Sequence, residues 1–148
     1  MSTDSEVREA SREFYAALNG MATGNAAAIA NTWAHSPTVT SMHPTGGREV
    51  GWDQVGEVFS QVAGLSSAGH VELVDSRIEV GGDLAYETGF ERGQITIAGR
   101  PVSIDQRVTN VYRRDGGTWR MVHHHADLSP AMMEILRELQ AGSRATAG

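Results

Sequence analysis

A predicted β-hairpin near the end of the chain carries the side chains best suited to chemistry. Its first strand contains Asn110, and its second contains the consecutive histidines His123, His124 and His125. The segment Asp115-Gly116-Gly117 between them is typical of a hairpin turn, because glycine tolerates the positive φ that such turns need. A neutral imidazole can accept a proton near neutral pH, and an amide N–H can stabilise a developing oxyanion. The hairpin therefore brings a candidate base and a candidate oxyanion donor onto adjacent strands.

Apolar spacing predicts the helices that pack against this hairpin. Apolar side chains recur every three or four residues, as on the buried face of an amphipathic helix. On this basis we expect four helices, over residues 4–22, 26–33, 53–65 and 130–140. Ser129 and Pro130 suit the start of the last helix, because serine caps helices well and proline is favoured in their first turn. The small, polar tail at 141–148 is predicted to be disordered.

Alternating polar and apolar residues predict the strands. They indicate strands over residues 37–42, 69–80, 84–97, 101–114 and 118–126, with a loop at 44–47. Helices followed by a run of antiparallel strands indicate an α+β fold, here a single domain over residues 1–140. We expect a cone, in which a curved, mostly antiparallel sheet wraps around three helices and a fourth helix ends the domain. The space between the layers is a natural ligand pocket.

Composition excludes several classes of function. The 148 residues carry a net charge of −6, which disfavours binding to nucleic acid or to anionic membranes. The chain has no cysteine, so it has no disulfide, thiolate nucleophile or cysteine-bound metal. Neither a signal peptide nor a membrane span is apparent, which predicts a cytoplasmic protein. His123 and His125 share a strand face and suggest a zinc site, but no further metal-like spacing supports one, so no metal is expected.

Strand alternation also assigns faces, since neighbouring residues of a strand point to opposite sides of the sheet. In the strand 101–114 the more apolar set is predicted to face the helices: Val102, Ile104, Gln106, Val108, Asn110 and Tyr112. In the strand 84–97 the comparable inner set is Leu84, Tyr86, Thr88 and Phe90, which leaves Glu87 and Glu91 outside. In the last strand the inner set is either Val122, His124 and Ala126, or Trp119, Met121, His123 and His125.

The chain resembles the nuclear transport factor 2 (NTF2-like) superfamily, and especially its SnoaL-like branch. The resemblance rests on the element order and on five groups of residues: Phe14–Asn19, Gly24-Asn25 with Trp33 and Pro37, His43-Pro44 before Gly51-Trp52-Asp53, Arg107–Tyr112, and Gly117–His125. The last segment is also similar to the association domain of calcium/calmodulin-dependent kinase. The resemblance implies the cone-shaped fold, but this superfamily contains isomerases, cyclases, epoxide hydrolases and noncatalytic binders.

The resemblance also implies roles for individual residues. Aligned with steroid isomerases, Asn110 takes the place of an oxyanion-stabilising aspartic acid, and Val122, His124 and Ala126 face the pocket. His43 lies near the place of the general base, with Ser41 as a competing position. The outer face of the sheet is implied to be a homodimer interface. The residues expected to line the pocket are Tyr15, Trp33, Trp52, Tyr86, Thr88, Phe90, Gln106, Val108, Tyr112 and Val122.

Two functions remain open at this point. The first is a cofactor-independent enzyme acting on a small hydrophobic metabolite, such as a polyketide-like intermediate, by isomerisation, cyclisation or dehydration. His43 or His124 would be its base and Asn110 its oxyanion donor. The second is a noncatalytic ligand-binding or dimerisation module. The lack of an inward-facing carboxylate in the predicted arrangement favours the second function, because isomerase-like chemistry uses a carboxylate or an activated histidine.

Overall fold

A computed structural model of the chain describes the backbone of residues 2–147 and the side chains of residues 2–142. The predicted α+β cone is confirmed. Its helices are α1 (Thr3–Ala22), a short 3-10 helix (Ala27–Thr32), α2 (Trp52–Leu65) and α3 (Pro130–Ala147). Its strands are β1 (Thr40–His43), β2 (Gly46–Val50), β3 (Ser66–Gly81), β4 (Leu84–Ile97), β5 (Arg100–Asp115) and β6 (Thr118–Ala126).

Helix α1 fills the concave side of the sheet. Ser2 caps it, accepting a hydrogen bond from the Ser5 backbone N–H, and so satisfies one of the unpaired amides of the first turn. Its buried stripe includes Val7, Phe14 and Leu18 at helical spacing. This stripe places the polar residues of the same face next to the sheet.

The six strands form one sheet in the order β2-β1-β6-β5-β4-β3. All neighbouring strands are antiparallel except β1 and β6, which run parallel with Ser41 opposite His124. This pairing brings the end of the first strand, with His43, next to the histidines of the last strand. Strand β2 was not predicted, because the expected loop at 44–47 covers its first two residues and its other three were assigned to no element.

A bulge in the β5–β6 pairing settles which side of β6 is buried. The register shifts between Val111 and Tyr112, so the buried set of β6 changes sides along the strand. Trp119 and Met121 are buried before the shift, and His124 and Ala126 after it. The expectation that Trp119 lies on the outer face is therefore wrong, and the inward position of His124 is confirmed. Val122, expected to line the pocket, is only half-buried.

The face assignment of β4 is also wrong. Glu87 and Glu91 point inward and are 1% and 3% exposed, whereas Tyr86 is 50% exposed on the opposite face. Leu84 and Thr88 are exposed and Phe90 is half-buried on that outer face, so none of the predicted inner set lies inside. The cause is register: Glu87 pairs with Asn110, and paired residues share a face. Apolar character misled here because the inner face is polar at its centre.

Helix α3 follows the last strand and ends the domain. The Ser129 hydroxyl accepts from the Met132 backbone N–H, which confirms the predicted cap. Among its described side chains Met132 and Ile135 are buried, and Arg100 forms an ion pair with Glu138. The helix extends to Ala147, through most of the segment predicted to be a disordered tail; Gly148 and the side chains beyond residue 142 lie outside the described residues. No helix among residues 2–147 is long and apolar enough to cross a membrane.

Candidate active site

A cavity of about 60 Å³ lies inside the cone, between the sheet, α1, α2 and α3. Its polar wall consists of His43, Glu91, Gln106 and His124, all buried. The rest of the lining is mostly apolar and comprises Leu18, Met21, Pro44, Thr45, Phe59, Val62, Val71, Ile95, Ile104 and Met132. Few but convergent polar groups in an apolar cavity are typical of a ligand or reaction site.

Four buried side chains beside the cavity form a nearly closed ring. The Tyr15 hydroxyl donates to Glu91 Oε2 at 2.9 Å and accepts from Asn110 Nδ2 at 3.0 Å. Asn110 Oδ1 lies 2.6 Å from His124 Nδ1. The ring closes across a gap of 4.0 Å between His124 Nε2 and Glu91 Oε2. This gap, wider than a hydrogen bond, faces the cavity.

The imidazole of His124 is held as a neutral base. Asn110 Oδ1 can only accept a hydrogen bond, so His124 Nδ1 carries the proton and Nε2 keeps its lone pair. Burial, followed by the neighbouring His123 and His125, lowers the pKa of His124 to about 3. The ring also lies against Phe14, with 5.3 Å between ring centroids. These contacts fix both the orientation and the charge state of the imidazole.

Glu91 is the carboxyl group that borders the cavity. Its Oε1 accepts from Gln106 Nε2 at 2.9 Å, and its Oε2 accepts from Tyr15. Burial raises the pKa of Glu91, and these two hydrogen bonds only partly oppose the rise. Because a pKa of about 3 leaves His124 neutral near pH 7, the 4.0 Å contact between the two side chains is not an ion pair.

His43 forms the other histidine wall of the cavity. Its Nε2 lies 3.2 Å from Glu49 Oε2 on β2, without hydrogen-bond geometry, and neither atom has a hydrogen-bond partner among the described residues. Burial, followed by the repulsion from His124 that arises when both rings are protonated, lowers the pKa of His43 to about 3. Its ring packs edge-on against Phe59. Ser41, the competing position, is fully buried, and its hydroxyl has no partner among the described residues.

A second buried carboxylate, Glu87, lies on the far side of the ring from the cavity. It accepts hydrogen bonds from the hydroxyls of Ser11 (2.8 and 2.9 Å), Ser76 (2.7 Å) and Tyr112 (2.8 Å). Asn110 Nδ2 adds a fourth donor at 3.1 Å. Both N–H groups of Asn110 are therefore engaged, one by Glu87 and one by Tyr15.

The structure brings part of the predicted pocket lining together. Tyr15, Gln106, Asn110, Tyr112 and His124 meet in the polar network. Trp33 and Val108 are buried away from the cavity lining, and Trp52 is half-buried and stacks on His35. Tyr86, Thr88 and Phe90 lie on the outer face and cannot contact a ligand in the cone. No cluster of residues suited to hold a metal ion occurs among those that the structure describes.

Sequence reasoning missed both carboxylates and the two serines that bind one of them. Glu87 and Glu91 were assigned to the outer face, and Ser11 and Ser76 drew no attention. The sequence does contain a signal for their inward position, namely the turn at Ala98-Gly99. This turn sets a register in which Glu87 pairs with Asn110 and Glu91 pairs with Gln106. Any strand that pairs with the inner residues of β5 in this register must place both glutamates inside.

Comparisons with known proteins agree with this architecture. The SnoaL-like domain family matches residues 7–133 of the chain. A comparison with curated protein sequences gives no match.

Three solved structures illustrate the likeness. A candidate dehydratase of the NTF2-like family from Streptomyces avermitilis is 22% identical (TM-score 0.73), with 86% of this chain and 96% of that chain covered. A nuclear transport factor 2 superfamily protein from Salmonella enterica is 21% identical (TM-score 0.74), with 83% and 88% covered. A candidate association domain of calcium/calmodulin-dependent protein kinase type II from Thiobacillus denitrificans is 25% identical (TM-score 0.65), with 82% and 94% covered. At the identities of the first two, the likeness demonstrates the fold alone.

Proposed function

The chain belongs to the SnoaL-like domain family, and from this premise we propose that it is a cytoplasmic, cofactor-independent enzyme that moves a proton on a small neutral metabolite. The observation that carries the proposal is the 4.0 Å gap between His124 Nε2 and Glu91 Oε2 at the cavity wall. It pairs a neutral base with a carboxyl group whose pKa burial raises toward the acid form. Such a pair can perform general acid–base catalysis, because the Glu91 carboxylate formed when its proton leaves lies 4.0 Å from His124 Nε2 and stabilises the imidazolium, which offsets the low pKa of the buried ring.

The reaction that fits this pair begins at a carbon next to a carbonyl group. His124 Nε2 takes the proton from that carbon, and the electrons of the C–H bond move into the carbonyl to form an enolate oxygen. Glu91 in its acid form donates a proton to this oxygen. Return of the proton from His124 to another carbon, and of the enol proton to Glu91, completes an isomerisation and restores both side chains. Aldol cyclisation and dehydration can use the same enolate.

Within this proposal His124 is the base and Asn110 is a positioning residue. The expected oxyanion role of Asn110 does not suit the observed contacts, because both of its N–H groups are already engaged. His43 lines the cavity, but its Nε2 faces Glu49, whose carboxyl group does not line the cavity and so does not reach a substrate there. We therefore assign His43 to substrate contact.

The size and chemistry of the cavity describe the part of the substrate that it accepts. A volume of about 60 Å³ is far below the ~300–1,000 Å³ of pockets that enclose whole drug-sized ligands. It fits a reacting end of a few atoms, and a longer substrate must displace side chains of the lining. No described lining residue is lysine or arginine. These features favour a neutral carbonyl compound with an apolar body.

Deuterium exchange tests this proposal without knowledge of the natural substrate. Butan-2-one and cyclohex-2-enone are incubated with the protein in D₂O, and loss of the α-proton signals is followed by NMR. We expect the wild type to accelerate exchange of at least one probe, and His124→Gln to abolish the acceleration. His125→Gln is the matched control, because this exposed neighbour points to the other face. Equal exchange rates for wild type and His124→Gln with both probes would overturn the proposal.

A second role, assembly, is favoured by the outer face of β4. Tyr86 and Leu84 are 50% and 46% exposed there, although large apolar side chains usually avoid water when clustered. The likeness to a candidate association domain supports the same role. We propose that this face forms a homodimer interface with a second copy of the chain.

Sedimentation velocity tests the assembly. We expect a two-chain mass for the wild type and a one-chain mass for Tyr86→Glu. Leu139→Glu serves as the control, since it adds the same charge at a 40% exposed position on α3. A one-chain mass for the wild type at tens of micromolar would overturn the assembly.

A further inference from the structure

A base is useful only if its lone pair faces the reacting atom, and for a neutral histidine this depends on which ring nitrogen holds the proton. We propose that Glu87, which does not line the cavity, fixes the tautomer of His124 through Asn110 and is thus a positioning residue for that base. The tautomer itself follows from the contacts alone, whereas its value for catalysis rests on the proposed function.

Glu87 acts only as an acceptor of hydrogen bonds. Three hydroxyl groups and one amide point at its two oxygens, at distances between 2.7 and 3.1 Å. A carboxylate has four lone-pair positions and no hydrogen to donate. Every group around Glu87 must therefore present a hydrogen to it.

The contact with Glu87 determines the orientation of the Asn110 amide. Asn110 Nδ2 lies 3.1 Å from Glu87 Oε1. Rotating the amide by half a turn would place Asn110 Oδ1 there instead and bring two acceptors into contact inside the protein, which is costly. Tyr15 alone would not prevent this rotation, because its hydroxyl can either donate or accept. Glu87 is therefore the group that decides which end of the amide faces His124.

The orientation of the Asn110 amide in turn decides which nitrogen of the His124 ring holds the proton. With the amide N–H₂ group turned toward Glu87, the Oδ1 atom faces His124 Nδ1 at 2.6 Å and requires a donor. The proton of the neutral ring must then reside on Nδ1. Nε2 keeps its lone pair on the side of Glu91 and the cavity.

The location of Glu87 separates this effect from direct contact with a substrate. Glu87 borders a surface groove between α1 and β3 that also includes Ser11 and Ser76. The cavity beside His124 is lined by Glu91 and not by Glu87. A change at Glu87 therefore reaches the base only through the side chains between them.

Nitrogen-15 NMR of the histidine rings measures the tautomer directly, because a ring nitrogen that bears a proton and one that does not have very different chemical shifts. The spectra are recorded near pH 7.5 on uniformly labelled protein, and the His124 signals are identified by their loss in His124→Gln. We expect the wild type to be the Nδ1–H tautomer. In Glu87→Ala we expect the Nε2–H tautomer to become the major form, since water entering from the groove can donate as well as accept.

Two further variants distinguish this role from a loss of stability. Ser76→Ala removes one hydrogen bond to the same carboxylate but leaves its acceptor toward Asn110, so His124 should keep the Nδ1–H tautomer. Glu87→Gln should largely keep it too, because the hydroxyls of Ser11 and Ser76 can turn to accept the new N–H₂ group. Glu87→Met fills the volume without a strong acceptor and replaces Glu87→Ala if the latter does not fold.

The outcomes separate this proposal from the proposed function. A wild-type His124 in the Nε2–H form overturns the tautomer proposal without any variant. An unchanged Nδ1–H tautomer in folded Glu87→Ala or Glu87→Met overturns the role of Glu87. An Nδ1–H wild type that loses this tautomer in Glu87→Ala supports it even where the deuterium-exchange test fails, which would refute only the proposed chemistry.

Discussion

Glu87 and Glu91 are four residues apart on β4, point to the same side and are both buried, yet their surroundings differ. Glu87 accepts hydrogen bonds from four side chains, those of Ser11, Ser76, Asn110 and Tyr112. Glu91 accepts from only two, Tyr15 and Gln106, and one side of it faces an apolar cavity.

The difference shows how one strand can carry a structural and a reactive carboxyl group. Hydrogen bonds stabilise the charged form of a carboxyl group, and burial beside apolar groups destabilises it. The donors around Glu87 are drawn from α1, β3 and β5, so this residue joins three elements to β4. At Glu91 burial outweighs the donors and raises the pKa, which favours the acid form that the proposed reaction uses.

The largest expected effect is the loss of the donor-rich carboxylate. Glu87→Ala leaves three hydroxyls and an amide without their buried acceptor, so the free energy of unfolding should fall by about 3 kcal/mol or more. Urea denaturation followed by tryptophan fluorescence measures this. Ser76→Ala is the comparison, with an expected loss of about 1 kcal/mol. A loss below about 1 kcal/mol for Glu87→Ala would contradict the structural role of this carboxylate.

The second prediction concerns the stability of the protein in acid, because the two buried histidines bind protons at a different pH in the folded and in the unfolded protein. Burial lowers the pKa of His43 and His124 from 6.5 to about 3. Between these values the unfolded chain binds protons that the folded protein does not. The free energy of unfolding should therefore rise as the pH increases from about 3 to 6.5, by up to about 1.4 kcal/mol per pH unit for each histidine.

Urea denaturation at several pH values between 4 and 7 measures this slope. His43→Gln should remove about half of the histidine contribution, since one titrating group is lost. Gln94→Ala, at an exposed position on β4 without a titratable side chain, should leave the slope unchanged. The burial of His43 as a neutral ring is refuted if the wild type and His43→Gln have the same pH dependence.

Much of the fold could be predicted from the sequence because its helices and long strands have clear periodicity. The predicted strand 84–97 has the bounds of β4, and the inner set of β5 was correctly assigned. Strand β2 (Gly46–Val50) was missed because it is short, mostly polar and at the sheet edge, where it has little apolar alternation to reveal it. The β6 bulge also has no local signal, so periodicity alone could not decide between the two faces of that strand.

The candidate site was predictable only in part, for a physical reason. Face assignment assumes that apolar residues point inward, and this holds where the layers pack as a dry core. Around Asn110 the inner face is instead a hydrogen-bonded polar network, so Glu87 and Glu91 were assigned to solvent. Their position follows from strand register, which the Ala98-Gly99 turn sets, rather than from polarity.

Tyr15 and Tyr112 each donate to a different one of the two carboxyl groups, Tyr15 to Glu91 and Tyr112 to Glu87. Tyr15→Phe and Tyr112→Phe should each lower the free energy of unfolding by about 1 kcal/mol, the usual value of one buried hydrogen bond. Only Tyr15→Phe should raise the pKa of Glu91 further, since it removes a hydrogen bond to that group. Carbon-13 NMR of the Glu91 carboxyl as a function of pH measures the difference, and an equal shift in both variants would contradict it.

The smallest expected effect on stability is at Glu91. The pKa of Glu91 is raised in the folded protein, so as the pH rises Glu91 ionises in the unfolded chain before it does in the folded one. The free energy of unfolding should therefore fall between the usual pKa of a glutamate and the raised pKa. Glu91→Gln cannot ionise, so its stability relative to the wild type should improve as the pH rises through this range. Near pH 7 the loss from one altered hydrogen bond should stay below about 1 kcal/mol by urea denaturation.

The same variant should nevertheless lose deuterium exchange as fully as His124→Gln, because no acid remains to protonate the enolate oxygen. If Glu91→Gln destabilises the protein as much as Glu87→Ala and leaves exchange intact, the two carboxyl groups have the same structural role and the contrast between them is wrong.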